Sequence, residues 1–291
     1  MTGILWLASY PRSGNTWLRI FLAACRADAP VDINRADTGS MISDRVTIDA
    51  ALGIESALLT PAELLALLPA AIRRIARDHP GGMVMKVHDS HDARFAPDAS
   101  RGVIHIVRNP LDTAVSLASF ASRPIDAVIA RMANEAETQS ASVGSYHRQL
   151  PQHLRSWSGH AASWMAQTGI PMLRVRYEEM VLRPMETFGM IAAFAGLPHD
   201  PPRIARAIAA TCFSSLQAQE REHGFVERPP RTPSFFRRGE VGAWREVLTA
   251  EQVRSLVSTN SGMMTQLGYL APGGEITDIS GEQATCRGAE A

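Results

Sequence analysis

The sequence predicts an α/β fold, a single domain in which helices flank a central parallel β-sheet. Four short runs rich in apolar and β-branched residues alternate with stretches that place apolar residues at helical spacing. Such alternation is typical of parallel strands joined by crossover helices. A tight loop also joins the first run directly to a helix, which is how a strand–loop–helix unit of such a fold begins. The predicted strands are residues 4–8, 83–87, 103–107 and 172–175.

The helices are predicted from apolar spacing and from capping residues. Residues 16–27 form the first helix after the loop. A second helix over 61–76 is capped by Thr60, with Pro61 at its first position and Glu63 at the third, and Pro69 should kink or split it. Asn109 and Pro110 start another helix in the same manner, directly after the third strand. The later helices are expected over 124–138, 152–167, 184–195, 201–210 and 250–267. Residues 1–270 are then one domain, and 271–291 form a disordered tail.

Composition excludes several kinds of partner. The 29 basic residues balance 29 acidic ones, so the net charge gives no reason to expect binding to nucleic acid or to an anionic membrane. Apolar runs fall short of the roughly 20 residues that a membrane-spanning helix needs, and no signal-peptide pattern is present. The three cysteines are widely spaced, which argues against a disulfide framework and against a zinc site. We therefore expect a cytoplasmic protein.

One of the basic residues is distinctive, because Lys86 is the only lysine among them. Lys86 and His88 are two residues apart at the end of a predicted strand, so their side chains can face the same ligand. An imidazole can take a proton from an acceptor hydroxyl, while an ammonium can neutralise a leaving phosphate oxygen. The alternative is that His88 is a structural histidine in a polar loop. Lys86 would then be a chance lysine in a chain that otherwise uses arginine.

The segment from Ser9 to Trp17 has the features of a phosphate-binding loop. It lies between a strand and a helix, where backbone N–H groups converge and the helix dipole favours an anion. It lacks the first glycine and the lysine of the nucleoside triphosphate P-loop, which weakens the case for magnesium-dependent phosphoryl transfer. The alternative is that Pro11, Ser13, Gly14 and Asn15 form a simple turn.

Two further segments offer arginines to an anion. Arg108 ends the third strand, and Ser116 is two turns into the following helix, so both can reach one phosphate group. Arg237 and Arg238 stand beside Gly239 and aromatic residues in a loop that can close over an anion. The alternatives are a solvated or capping Arg108, and an exposed basic turn that Phe and Trp side chains anchor to the core.

These segments, in this order, resemble the cytosolic type of sulfotransferase that uses 3'-phosphoadenosine 5'-phosphosulfate (PAPS). The resemblance covers about residues 4–268 and implies a P-loop-like phosphosulfate-binding loop, a Lys-x-His catalytic element, a 3'-phosphate motif, an adenine-side segment and a C-terminal nucleotide clamp. The cofactor-binding residues that it implies are Arg12, Ser13, Gly14, Asn15, Thr16, Trp17, Arg108, Ser116, Tyr177, Thr211, Phe213, Arg237, Arg238 and Gly239.

The resemblance implies sulfuryl transfer from PAPS to a hydroxyl or amine by in-line displacement. His88 is the expected general base, Lys86 and Arg12 stabilise the leaving group, and Trp17 and Phe213 stack on adenine. The expected product is adenosine 3',5'-bisphosphate (PAP), and no metal is expected. Candidate acceptors are small molecules, glycosides and peptides, among which we expect a bacterial secondary metabolite.

Some positions depart from the family pattern. Arg12 and Arg238 each replace a lysine, and residues 245–251 match the family's dimerisation segment poorly, which leaves a homodimer open. Two other functions compete with sulfuryl transfer. One is a magnesium-dependent P-loop nucleotide kinase, and the other is a nucleotide-binding regulatory protein without catalysis. The Lys86 and His88 pair argues against the second, which has no use for it.

Overall fold

The computed structural model describes residues 2–29, 31–36, 40–141, 147–230 and 232–277. Its contacts divide the chain into two compact units, each built from several segments. The first unit comprises Met1–Pro11, Gly39–Val107 and Arg131–Arg174, and the second comprises Arg12–Thr38, Arg108–Ala130 and Val175–Ala291. Most of the predicted disordered tail, residues 278–291, lies outside the described residues. Residues 271–277 form a turn in which the Ala271 N–H donates to the Glu275 carbonyl at 2.9 Å.

The strands are β1 (Ile4–Ser9), β2 (Ser40–Met41), β3 (Met83–Val87), β4 (Ser100–Val107), β5 (Thr138–Gln139), β6 (Gln152–His153) and β7 (Met172–Arg176). The helices are α1 (Asn15–Ala27), α2 (Arg45–Leu52), α3 (Pro61–Asp78), α4 (Pro110–Ala121), α5 (Ile125–Met132), α6 (Trp157–Ala166), α7 (Tyr177–Leu182), α8 (Pro184–Phe194), α9 (Pro201–Ala210), α10 (Phe213–His223) and α11 (Ala250–Gln266). Among the described residues, no helix combines the length and apolar character needed to cross a membrane.

The first unit contains the central sheet, whose order is β2-β3-β1-β4-β7. β1 pairs in parallel with β3 and with β4, and β2 pairs in parallel with β3. All six residues of β1 are buried, which explains its continuous apolar sequence, since a central parallel strand is covered on both faces. The carboxyl ends of β1, β3 and β4 therefore lie at one edge of the sheet, where open α/β sheets bind their ligands.

The second unit is mainly helical and has a core of its own beside α1 and α10. Three phenylalanines, Phe225, Phe235 and Phe236, pack there with Ile20 and Leu216. Two of the three rings come from the segment that precedes Arg237, so packing of this core also places that arginine's backbone.

The fold class and the four predicted strands are confirmed. The Thr60 capping box and the Asn109 cap are present as expected. Pro69 was expected to kink or split the helix that Thr60 caps. The split was wrong, because α3 runs continuously from Pro61 to Asp78. Burial of its apolar stripe, which includes Leu68 and Ile72, outweighs the one hydrogen bond that a proline removes.

Two predicted helices were too long and three were missed. The predictions over 124–138 and 152–167 reduce to α5 and α6, and residues from both excess stretches pair as β5 and β6. The missed helices are α2, α7 and α10. α10 has few apolar residues to set a period, with Phe213 and Leu216 in a largely polar stretch.

Candidate active site

The loop between β1 and α1 has the conformation of an anion-binding turn. Arg12 has a φ of 68° and Gly14 a φ of 101°, both left-handed, and α1 then begins at Asn15 without a side-chain cap. A Cβ on Gly14 would lie 2.8 Å from the Tyr177 ring, so both the φ and the space require glycine. The Ser13 hydroxyl is buried and has no hydrogen-bond partner within the described part of the chain. Uncapped helix N–H groups beside such a hydroxyl suit an anionic ligand.

Arg12 is held flat between two aromatic rings. Its guanidinium carbon lies 4.6 Å from the centroid of Phe120 and 4.5 Å from that of Phe235. Its Nε donates to the Ser116 hydroxyl at 3.2 Å, and one Nη donates to the Phe235 carbonyl at 3.1 Å. Burial, followed by the charge of Arg108, lowers the pKa of Arg12 to about 10. These acceptors are neutral, so the buried cation would gain from a nearby anion.

Arg108 lies just before α4, and like Arg12 it is held by an aromatic ring and by backbone carbonyl groups. It donates to the carbonyls of Arg12 at 3.0 Å and Glu240 at 3.3 Å, and its guanidinium lies 4.2 Å from the Tyr177 ring centroid. Its Nε is buried and unpartnered among the described residues. Arg237 has its pKa lowered by burial and then by Arg238 and Arg108. The structure thus brings Arg12, Arg108 and Arg237 close enough for their charges to interact, although Glu220 and Glu240 also act on Arg12 and Arg237 respectively. Three neighbouring cations suit a ligand with several negative charges.

The aromatic residues predicted for the adenine side are also gathered in the second unit. The Trp17 indole N–H donates to the Thr211 carbonyl at 2.8 Å, and its ring meets the edges of Tyr177 and Phe188. The ring of Phe213 lies so close to Gly239 that a Cβ there would be 2.4 Å from it. Trp17 thus contacts Thr211, and Phe213 contacts Gly239. Each contact joins two residues that were predicted to bind the nucleotide from separate segments of the chain.

Arg238 differs from the other predicted arginines. Its side chain is 40% exposed and forms ion pairs with Glu246 at 3.2 Å and Glu240 at 3.8 Å. Its charge already has two carboxylate partners, so it contributes less to an anion site than Arg108 does.

Buried carboxylates that sequence reasoning missed hold the basic segments in place. Asp112 accepts hydrogen bonds from the backbone N–H groups of Gly242 at 2.8 Å and Trp244 at 3.0 Å. Glu178 accepts from the Asn109 N–H at 3.0 Å and from the Tyr269 hydroxyl at 2.9 Å, and burial raises its pKa.

A third buried carboxylate, Glu220, accepts from the backbone of Phe235 and Phe236. Asp112 and Glu178 could have been noticed because they follow the motif residues Arg108 and Tyr177 closely. Glu220 gives no such signal.

Thr16 also has a partner that the sequence did not indicate. Its hydroxyl donates to Glu227 at 3.3 Å, and Arg19 bridges to the same carboxylate at 2.8 Å. The Arg19 side chain is 4% exposed, so this ion pair fixes the first turn of α1.

The predicted catalytic pair lies in the first unit. Lys86 is in β3, paired with Leu7 of β1, and His88 follows the strand with 8% of its surface exposed. The His88 Nδ1 lies 2.7 Å from the Ser9 carbonyl, which can only accept, so Nδ1 carries the proton. In the neutral ring the lone pair is then on Nε2, the atom that a general base needs.

The chain that follows His88 is held on several sides. The Asp89 carboxylate accepts from the His153 N–H at 2.8 Å and from Arg94 at 3.2 Å, and its carbonyl accepts from the Trp164 indole at 2.9 Å. Behind it, His160 is fully buried and hydrogen-bonds the backbone of His88 and Asp89, and burial lowers its pKa to about 3. His88 is thus fixed at its Nδ1 and along its backbone.

Comparisons with known proteins identify the family to which the chain belongs. A family model of the sulfotransferase domain matches residues 3–268. The chain is 23% identical over 270 residues to flavonol 3-sulfotransferase from Flaveria bidentis, covering 87% of this chain and 78% of the relative. It is 26% identical over 262 residues to cytosolic sulfotransferase 1 from Arabidopsis thaliana, covering 84% of this chain and 73% of the relative.

Solved structures show the same fold. Mouse sulfotransferase SULT7A1 in complex with PAP superposes with a TM-score of 0.57 at 21% identity, covering 91% of this chain and 86% of that one. Retinol dehydratase in complex with retinol and PAP gives a TM-score of 0.61 at 17% identity, covering 90% of this chain and 81% of that one.

Proposed function

The chain belongs to the sulfotransferase domain family and is a PAPS-dependent sulfotransferase, and we propose that His88 is the general base that activates a hydroxyl or amine of a small-molecule acceptor. Membership of this family does not favour the kinase alternative. Within the described residues, no group of His, Cys, Asp and Glu side chains is placed to hold a metal ion.

The residues of the second unit fit PAPS. Its two phosphate positions and its sulfate require several cationic or N–H donors. Arg12, Arg108 and Arg237 are close enough for their charges to interact, and both Arg12 and Arg108 donate hydrogen bonds to neutral acceptors. The buried Ser13 hydroxyl and Arg108 Nε lack partners among the described residues, so both can bind a ligand without breaking an existing bond. We assign the 5'-phosphosulfate to the loop from Ser13 to Thr16.

The 3'-phosphate is assigned to Arg108, Ser116 and the segment that begins at Arg237. The Ser116 hydroxyl accepts a hydrogen bond from Arg12, which leaves its own proton available to a phosphate oxygen. Arg12 thereby supports both assignments, through its charge in the loop and through its bond to Ser116. This recognition of a 3'-phosphate is what would separate PAPS from ATP.

The chemistry proposed for the first unit is proton transfer and charge neutralisation. When bound, PAPS supplies the sulfuryl group and a phosphate leaving group. His88 Nε2 removes the proton from the acceptor as the acceptor oxygen or nitrogen attacks sulfur. The Lys86 ammonium then neutralises the charge that develops on the leaving phosphate oxygen. The transferred group departs from phosphate oxygen as it joins the acceptor, so no covalent enzyme intermediate is required.

The observation that carries this proposal is the bond from His88 Nδ1 to the Ser9 carbonyl. It leaves the basic lone pair on Nε2, and Ser9 directly precedes the phosphate loop in the chain.

The proposal is tested by calorimetric titration with PAP and, separately, with ADP and magnesium. We expect tight binding of PAP without metal and weaker binding of magnesium-ADP, and Arg108→Ala should weaken PAP much more than adenosine 5'-monophosphate. A preference for magnesium-ADP would refute the assignment of the site. For the acceptor, we propose a hydroxylated secondary metabolite, and a screen of phenols, glycosides and peptides with radiolabelled PAPS would identify it by label transfer.

A further inference from the structure

Helix α10 runs beside the segment 234–239, which contains Arg237 and Gly239 and which we call the clamp segment. We propose that Gln217 and Glu220 are positioning residues that set the clamp segment for recognition of the 3'-phosphate. This inference rests on the proposed function of Arg237 and Arg12 and adds to it two residues of a helix that no motif indicates.

Glu220 holds the N–H groups of the clamp segment. Its carboxylate accepts from Phe235 N at 2.7 Å, from Phe236 N at 2.9 Å and from the Ser234 hydroxyl at 3.0 Å. The residue is 4% exposed, so these donors replace the water that a carboxylate otherwise needs. Bonds to an ionised acceptor are among the stronger ones in proteins, and three of them on consecutive residues fix a short stretch of backbone.

Gln217 holds the carbonyl groups of the same stretch. Its side-chain amide donates to the Phe236 and Arg237 carbonyls, each at 2.9 Å. Gln217 and Glu220 are three residues apart on α10, so they share one face of the helix. One side chain donates and the other accepts, much as a neighbouring strand would. Four of these five bonds go to backbone atoms, so they set the position of the segment largely independently of its side chains.

The fixed backbone places two cations of the site. The Phe235 carbonyl accepts from Arg12, and the Phe235 ring covers one face of its guanidinium. Arg237 is the residue whose carbonyl Gln217 holds, and the charge of Arg108 lowers its pKa after the effects of burial and Arg238. A shift of the clamp segment would therefore move Arg237 away from Arg108, while Arg12 keeps its bond to Ser116 and its contact with the Phe120 ring.

The amino end of α10 supports the same segment at its other end. The Phe213 ring lies against Gly239, whose φ is 69°. Contacts from Phe213, Gln217 and Glu220 thus extend over two turns of α10 and reach from residue 234 to residue 239.

The test compares Glu220→Gln and Gln217→Glu with Glu222→Gln. Glu222 lies on the same helix, but its side chain is 73% exposed, so the control removes the same charge without touching the clamp segment. Calorimetry measures the dissociation constants of PAP and of adenosine 5'-monophosphate, which lacks the 3'-phosphate. We expect Glu220→Gln and Gln217→Glu to weaken PAP by about tenfold, because each places a like group against a backbone donor or acceptor and lowers the population of the competent segment. Adenosine 5'-monophosphate should change by less than about threefold.

Steady-state kinetics provides the second readout. In both variants the KM for PAPS should rise by a similar factor, while kcat at saturating PAPS stays near the wild-type value. Equal losses for PAP and adenosine 5'-monophosphate, or variants that match Glu222→Gln, would overturn the inference. Failure of the wild-type protein to bind PAP would instead overturn the proposed function, so the two failures are distinguishable.

Discussion

Replacing His88 by asparagine separates the two roles that the structure gives its ring. The Nδ1 atom donates to the Ser9 carbonyl at 2.7 Å, and the asparagine amide nitrogen can occupy nearly the same place and make the same bond. Asparagine has no counterpart of Nε2. His88→Asn therefore keeps the structural hydrogen bond and deletes the proposed base, whereas His88→Ala would remove both.

The expected size of the effect follows from these two roles. Loss of a general base costs about 10²- to 10⁴-fold in rate. Loss of the hydrogen bond alone would cost about 1 kcal/mol of folding stability, and His88→Asn should avoid most of that loss. We therefore expect kcat to fall by at least about 100-fold, which is about 2.7 kcal/mol of activation free energy, with little change in the melting temperature.

The assay is transfer of labelled sulfate at saturating PAPS and acceptor, together with calorimetric binding of PAP. Binding should stay within about threefold of wild type, since His88 is assigned to the acceptor and not to the nucleotide. His153→Asn is the matched control, because this exposed histidine contacts the same loop through its backbone. If His88→Asn kept about a tenth or more of wild-type turnover, the base would have to be another group.

Three further predictions concern other parts of the molecule. Lys86→Arg should lower kcat by about tenfold or more and leave the affinity for PAP little changed, because a guanidinium does not replace a compact ammonium at a leaving oxygen. Rapid-quench kinetics measures the loss of turnover. Gly239→Ala should weaken PAP by about tenfold in calorimetry, because its Cβ would lie 2.4 Å from the Phe213 ring at a φ of 69°. Burial lowers the pKa of His160 to about 3, so the unfolded chain takes up this proton first and stability falls as the pH drops below about 6.5. Urea unfolding should show His160 contributing about 2 kcal/mol to the stability lost between roughly pH 6.5 and 4.5, and His160→Asn should be less acid-sensitive by that amount.

Local chemistry explains which parts of the fold were predictable. The buried strand β1 and the caps at Thr60 and Asn109 follow from short-range patterns, and the structure has them. The loop from Arg12 to Thr16 was recognisable for the same reason. α10 was not, because its residues face the backbone of another segment and so need polar side chains where a helix would ordinarily show an apolar stripe.

The supporting carboxylates were harder to predict than the arginines for a physical reason. Glu220 bonds to N–H groups 15 and 16 residues away, and Asp112 bonds to N–H groups 130 and 132 residues away. A backbone N–H is offered by almost every residue, so the partner leaves no mark in the sequence. Lys86 could be found because it is the one lysine of the chain, and Arg108 because it ends a predicted strand directly before a capped helix.

The surroundings of Arg12 explain how this chain accommodates arginine at a loop position where the resemblance suggests lysine. A guanidinium is planar and weakly hydrated, so it can lie between aromatic rings, and those of Phe120 and Phe235 lie at 4.6 and 4.5 Å on this side chain. The guanidinium group also has enough N–H donors to bind the Ser116 hydroxyl and the Phe235 carbonyl. Both acceptors are neutral, so the positive charge of Arg12 can still attract an anionic ligand. The same properties make arginine a poor substitute for Lys86, whose proposed task is to follow charge onto a single oxygen. Under the proposed mechanism, the one lysine among 29 basic residues lies at the position where the two cations are least interchangeable.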